Sequence, residues 1–315
     1  AADTRRLADR GDAGEPGAML ELLETDAAAP PSAPIAEEVV PGGYWSSARI
    51  AVNEMLWGSG EIVPGGAART IDLVGAFGLG SDVNVLQIGA GLGGAARTIA
   101  GEYGAWVTGF EADPALAIAA MAPQRMNMTV KESGTSLKKS KAKVSLADKA
   151  RISQEDLENL SLKARAYDCA FARETLHRIT NKEGLCEALF GALKPHASFL
   201  LTDIFVAEGA KNNPALQRWI DSERGEIHPW SLAEAKKMLT ETGFDLRVID
   251  NVTAQFRSDI FDGFAKFVSA HERARIPHEL LEPLLEFAEL WGRRVAALDA
   301  GVIEVYKLVA LRTDM

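Results

Sequence analysis

The chain has 315 residues, 47% of them hydrophobic, which is enough to bury a full core as one large domain with additions. A formal net charge of −10 makes the surface as a whole repel nucleic-acid phosphates and anionic headgroups, so neither nucleic acid nor membrane is expected as a partner. The two cysteines, Cys169 and Cys186, lie in apolar segments, and there is no leader pattern or bilayer-spanning run of about 18 apolar residues; a soluble, cytoplasmic protein with reduced thiols is expected.

Residues 1–40 hold nine acidic and three basic residues together with Pro16, Pro30, Pro31 and Pro34, which predicts an acidic, partly flexible arm over 1–42. Helical spacing over 46–57, a glycine-rich break and a second helical pattern over 66–77 predict a helical cap or lid over 43–80. From residue 81 onward, strands are expected at about 83–88, 105–110, 150–154, 166–172, 198–204 and 245–250. Helices fall between them at about 93–102, 114–122, 182–193 and 231–241. This alternation is the pattern of an α/β, Rossmann-like doubly wound parallel sheet. The segment 131–151, with six Lys and one Arg against two acids, reads as a solvated basic loop. A helical insert at about 256–299 precedes a last apolar run, GVIEVYKLVALR.

Gly89, Gly91 and Gly93 close the first strand and open a helix, where a missing Cβ lets the backbone turn tightly and approach a ligand. Glu111 stands 22 residues after Gly89, at the end of the second strand, where a ribose-binding acid is wanted. The same glycine spacing suits dinucleotide folds, so these residues alone do not separate a nicotinamide oxidoreductase from other nucleotide-cofactor enzymes.

The downstream order resolves this. YDCAFARETLHRITNKEGLCEALFGALKPHASFLLTDIFV (167–206), SLAEAKKMLTETGFDLRVID (231–250) and the final GVIEVYKLVALR resemble class I S-adenosylmethionine-dependent methyltransferases. The matching features are Asp168 opening strand four, Leu193 to Pro195 before strand five, the Gly243–Phe244 turn and an antiparallel seventh strand. Within that class, MLWGSGEIVPGGAART (55–70) resembles the lid of the phosphoethanolamine and glycine/sarcosine subgroup. The resemblance implies a seven-stranded sheet and S-adenosyl-L-methionine as cofactor, leaving S-adenosyl-L-homocysteine.

It further implies that Gly89, Ala90, Gly91 and Gly93 pass beneath the methionine part, and that Glu111, beside Ala112, accepts the ribose hydroxyls. Asp156 or Glu155 would face the adenine amine, the main chain of Ala172 and Arg173 would flank the amino-acid end, and Trp57 and Gly65 would belong to the lid. Gln87 stands where relatives carry Asp or Glu; the amide keeps an acceptor and loses the charge, which weakens the pull on a cationic ligand.

The catalytic tyrosine and histidine of the phosphoethanolamine enzymes would align with Trp45, next to Tyr44, and with Arg178, next to His177. Tyr44, Trp45, Glu174, His177 and Arg178 are therefore the candidate substrate-facing residues, with Arg178 or Arg173 able to pair an anionic group. The aromatic rings, Trp57 included, could face a cationic centre. The expected acceptor is a small zwitterionic or anionic metabolite, methylated on a thioether sulfur, as in 4-methylthio-2-hydroxybutyrate, or on an amine. No metal is implied, and a homodimer through the arm or the insert is compatible with this reading. A cofactor-binding protein without chemistry, or a nicotinamide-dependent oxidoreductase, is the alternative.

Overall fold

The apolar runs pair into one sheet of β1 (Asn84–Ile88), β2 (Trp106–Glu111), β3 (Ala150–Gln154), β4 (Tyr167–Arg173), β5 (Leu193–Val206), β6 (Phe244–Asn251) and β7 (Ile303–Arg312). The structure, a computed structural model, describes residues 43–122, 146–271 and 275–314. The expected arm over 1–42 and residues 131–145 of the basic segment lie outside the described residues. Strand order is β3-β2-β1-β4-β5-β7-β6, with β7 antiparallel to both β5 and β6 and the other pairs parallel. The winding reverses between β1 and β4, so their carboxyl ends open a crevice in which α/β folds bind ligands.

Alternation along the strands sorts side chains into two cores. Leu86, Ile88, Ala170 and Ala172 face one layer with Leu185, Leu189 and Phe199. Val85, Cys169 and Phe171 face the other with Ile99, Val107 and Leu200. The helices of seven residues or more are α1 (Ser47–Trp57), α2 (Gly66–Val74), α3 (Gly94–Tyr103), α4 (Pro114–Ala120), α5 (Lys182–Ala192), α6 (Pro214–Ser222), α7 (Leu232–Thr242), α8 (Thr253–His271) and α9 (His278–Asp299). A third core joins α1, α8 and α9 through Leu56, Trp57, Phe256, Ile260, Phe287 and Trp291, above the carboxyl edge of the sheet.

Three features differ from the expectations. Strand β5 starts at Leu193, because Leu193 pairs with Tyr167 ahead of an irregularity and Ser198 resumes the ladder against Cys169. Helix α6 is not among the expected elements, although Asn213 caps it through Ala215 N (2.9 Å) and Pro214 opens it, a readable start signal. The insert is two helices, α8 and α9, with Pro277 at the N-cap of the second. Both cysteines are free and buried, and burial pushes each thiol up to about 12. Among the described residues no helix is long and apolar enough to cross a membrane.

Candidate active site

The turn after β1 is built by backbone hydrogen bonds. Gly89 N and Ala90 N both donate to Phe110 O (2.9 and 3.0 Å), and Gly91 N donates to Glu111 Oε2 (2.7 Å). Gly89 sits at φ +69°, and a Cβ there would collide with Thr175 Oγ1, so the turn admits only glycine at that point. Glu111 also accepts from Asp113 N (2.9 Å). Burial raises its carboxyl above the usual range, against the pull of the backbone donors of Asp113 and Gly91.

A cavity of about 580 Å³ lies over this turn. On the sheet side Gln87, Gly89, Ala90, Glu111, Ala112, Asp156, Leu157 and Arg173 line it, and Gly60, Glu61, Ile62 and Val63 form the lid side. Tyr44, Trp45, Glu174, His177 and Arg178 all line it as well. Asp156 reaches the cavity and Glu155 does not. Trp57, Gly65, Gly91, Gly93 and Ala172 lie behind the wall rather than in it. Trp57 is a packing residue, edge-on to Phe264 and Trp291 with centroids 5.7 and 5.0 Å away.

Six buried side-chain nitrogen or oxygen atoms among the described residues have no hydrogen-bond partner. Five of them, Glu61 Oε1, Gln87 Oε1, Glu174 Oε2, His177 Nε2 and Trp291 Nε1, belong to residues that line this cavity. An unsatisfied buried polar atom costs about 1–3 kcal/mol, so their convergence marks a place that a polar ligand completes.

Glu61 and Glu174 are each pushed up to about 7, chiefly by burial, with Arg173 pulling the other way. Glu174 accepts from Thr202 Oγ1 (2.9 Å) and holds φ +47°, a left-handed conformation that costs about 1 kcal/mol or more and persists where surroundings enforce it. Arg173 donates to Thr70 Oγ1 (3.2 Å), Gly66 O (3.4 Å) and Pro64 O, with Glu174 Oε2 3.3 Å and Glu61 Oε2 3.9 Å from it. Its guanidinium thus clasps the lid to the end of β4. This corrects the expectation that Arg173 is free to pair a substrate anion.

The far end of the cavity is cationic. Arg178 Nη2 (2.9 Å) and Arg294 Nε and Nη2 (2.5 and 2.6 Å) all donate to one carboxylate, Glu223, which also accepts from Trp219 Nε1 (2.9 Å). Burial alone would raise Glu223, but Arg294 and Arg178 hold it at about 2. Arg49 (2.9 Å) and Arg224 (3.2 Å) share Glu286 in the same way, and Arg224 also donates to Tyr44 Oη. Four guanidinium groups share these two carboxylates, with Asp203 near Arg178 and Glu282 near Arg49 as further acids.

Both Arg49 and Arg224 stand over the Tyr44 ring at 4.7 Å, and Arg294 stands over Trp291 at 4.3 Å. Trp45 stacks on Phe287, centroids 6.2 Å apart. The rings expected to face a cationic substrate centre pack against the protein's own arginines and other rings, while Tyr44 and Trp45 also line the cavity.

Asp203, Glu61, Glu223, Arg224 and Arg294 are absent from the sequence candidates. A lone acid inside the apolar strand LLTDIFV was a legible signal for Asp203, since a buried charge needs a partner. The arginines come together only through tertiary packing of α6 and α9.

A family model described as a methyltransferase domain matches residues 60–248. The chain is 25% identical over 219 residues to phosphoethanolamine N-methyltransferase 2 of Caenorhabditis elegans, covering 69% of this chain and 45% of that protein. It is 25% identical over 162 residues to the glycine/sarcosine/dimethylglycine N-methyltransferase of Actinopolyspora halophila, covering 50% of this chain and 26% of that protein. The chain therefore spans less than half the length of these curated relatives. In fold it is similar to Haemonchus contortus phosphoethanolamine N-methyltransferase 2 in complex with S-adenosyl-L-methionine, with TM-score 0.68 and 19% identity over 84% of this chain and 57% of that one. With the glycine turn, the acid ending β2 and the antiparallel β7 all in place, the chain belongs to the methyltransferase domain family.

Proposed function

We propose that the protein transfers a methyl group from S-adenosyl-L-methionine to a small anionic or zwitterionic metabolite. The observation that carries this is one cavity with a glycine-turn floor at one end and the Arg178, Arg224 and Arg294 cluster at the other. Gln87, Gly89, Ala90, Glu111, Ala112 and Asp156 would hold the cofactor, with Leu157 as an apolar wall. The unpartnered Gln87 Oε1 and the Glu111 carboxylate are acceptors suited to its donor groups. Once bound, the cofactor supplies an electrophilic methyl group.

The chain's own residues then align the acceptor and exclude water. Arg178, Arg224 and Arg294 with Tyr44 Oη would pair a carboxylate or phosphate, and their partial neutralisation by Glu223 and Glu286 keeps them held in place without cancelling their charge. Glu61, Glu174 and His177 line the same cavity. The cavity's 580 Å³ lies in the range of small-molecule sites, roughly 300–1,000 Å³. Relatives are named for phosphoethanolamine, glycine and sarcosine, all of which join an amine to an anionic group or carboxylate. An amine of that kind fits this site, and so does a thioether acid such as 4-methylthio-2-hydroxybutyrate. We place the protein in the cytoplasm on the two buried reduced thiols.

Incubation with methyl-labelled cofactor and a panel of phosphoethanolamine, glycine, sarcosine and 4-methylthio-2-hydroxybutyrate tests the reading. Label is expected in an anionic acceptor, with Arg224→Ala raising its KM at least 10-fold, as loss of one charge-assisted contact implies. Transfer to none of these, or transfer indifferent to Arg224, would contradict it.

A further inference from the structure

His177 is almost fully buried, with 2% of its surface exposed, and lines the cavity. Its Nδ1 lies 2.6 Å from Asp203 Oδ1, and Asp203, with no exposed surface, accepts from Trp230 Nε1 through Oδ2 (3.3 Å). The other ring nitrogen, Nε2, has no hydrogen-bond partner among the described residues. Asp203 stands on β5 and His177 in the 3-10 turn Leu176–Arg178, and the 2.6 Å contact is the shorter of the two hydrogen bonds that the carboxylate makes. A buried carboxylate is acceptor-only, so it fixes the proton on Nδ1 and leaves Nε2 as a lone pair directed away from it.

We propose that His177 is the general base of the reaction, that Asp203 is the positioning residue that sets its tautomer, and that the acceptor therefore carries a proton to be lost. This rests on the methyl-transfer reading and narrows it from thioether acids to amines. A thioether sulfur has no proton to give, and a buried, oriented base would serve it nothing. An ammonium cannot attack until it is deprotonated. The N–H proton passes to Nε2, the freed pair on nitrogen forms the N–CH3 bond, and the S–CH3 bonding pair returns to sulfur, giving the neutral thioether product.

The sequence alignment sets Arg178, which cannot accept a proton, at the family's histidine position; the geometry supplies His177 one residue earlier, lining the cavity with its Nε2 unpartnered among the described residues. The charged groups around the pair are Glu174 at the end of β4, Arg178 in the same turn as His177, Lys182 on α5, Glu223 following α6 and Arg294 on α9.

Two measurements decide the assignment. Long-range 1H–15N spectra of 15N-labelled protein saturated with S-adenosylhomocysteine report the tautomer of each of the five histidines, with His177→Gln identifying the signal. The expected result at pH 8 is protonated Nδ1 and bare Nε2, with the proton redistributed to Nε2 in Asp203→Asn. A protonated Nε2 in the wild-type protein, or an unchanged tautomer in Asp203→Asn, overturns the proposal even if no acceptor in the panel is methylated.

Where an acceptor is found, Asp203→Asn is expected to lower kcat by about 10²-fold or more while its KM changes only a few-fold. The wild-type rate should fall on the acid side along a limb that moves in Asp203→Asn. Preferred methylation of the thioether acid with a flat pH profile, or an unchanged kcat in Asp203→Asn, overturns it and leaves the methyl-transfer reading standing. Absence of any S-adenosylmethionine binding by calorimetry overturns both.

Discussion

Glu223 shows how a single side chain can organise a cavity end. Its carboxylate is buried against Arg178 and Arg294, so its stability contribution depends on remaining ionised. Its pKa is depressed from 4.5 to about 2, so this contribution, on the order of 3 kcal/mol, is present above pH 4.5 and lost as pH falls from there towards 2. Glu61 and Glu174 act with the opposite sign. Both are raised from 4.5 to about 7, so the folded chain binds more protons than the unfolded one in that window, and stability falls as pH rises through it. Urea denaturation across pH 3–9 is expected to show both slopes. Glu174→Gln should remove much of the second, stabilising the protein at pH 8 by on the order of 1–3 kcal/mol while impairing activity. A pH-independent stability between 5 and 8 in the wild-type protein would contradict the burial of these two acids.

At the scale of elements, the lid is the part whose closure depends on one distant residue. Gly94 N donates to Gly60 O (2.9 Å), and Arg173 binds Pro64, Gly66 and Thr70, so the 60–66 segment is fastened both to the glycine turn and to β4. Arg173→Lys keeps the charge but loses the planar fork. Hydrogen exchange at 60–66 is expected to accelerate and cofactor Kd to rise roughly 10-fold, corresponding to about 1.4 kcal/mol. Unchanged exchange would mean that the clasp is not what holds the lid.

Elements with an unambiguous period were legible from the chain. Strands β1 to β4 and helices α3, α5 and α7 fall within a residue or two of expectation because alternation and caps such as the Ser231–Glu234 box are local signals. Helix α6 is hard to read from the chain because it is only nine residues long and follows a polar stretch, although Asn213–Pro214 is a start signal. The early start of β5 depends on pairing with Tyr167, which no local pattern encodes.

At the scale of the whole molecule, an acidic chain gathers four arginines around one part of its cavity. The net charge of −10 is spread over the sequence, whereas Arg49, Arg178, Arg224 and Arg294 converge from α1, the turn after β4, the segment after α6, and α9. Such convergence is invisible to a linear reading, which foresaw Arg178 alone of the four. The glycine turn and Glu111 were legible because they are tied by short sequence separation and by the order of strands. Trp57 and Gly65, expected in the lid, do not line the cavity, since their helix-flanking pattern indicates a cap but not which side of it faces inward.

All of the chemistry described depends on the cavity over Gly89 to Gly93 receiving S-adenosyl-L-methionine. Calorimetric titration of the wild-type protein and Glu111→Ala with S-adenosyl-L-methionine, and of the wild-type protein with NADH, tests this most directly. Saturable binding of S-adenosyl-L-methionine at one site per chain, weakened at least 10-fold in Glu111→Ala, with no binding of NADH, is the predicted result. Binding of NADH without binding of S-adenosyl-L-methionine would contradict it.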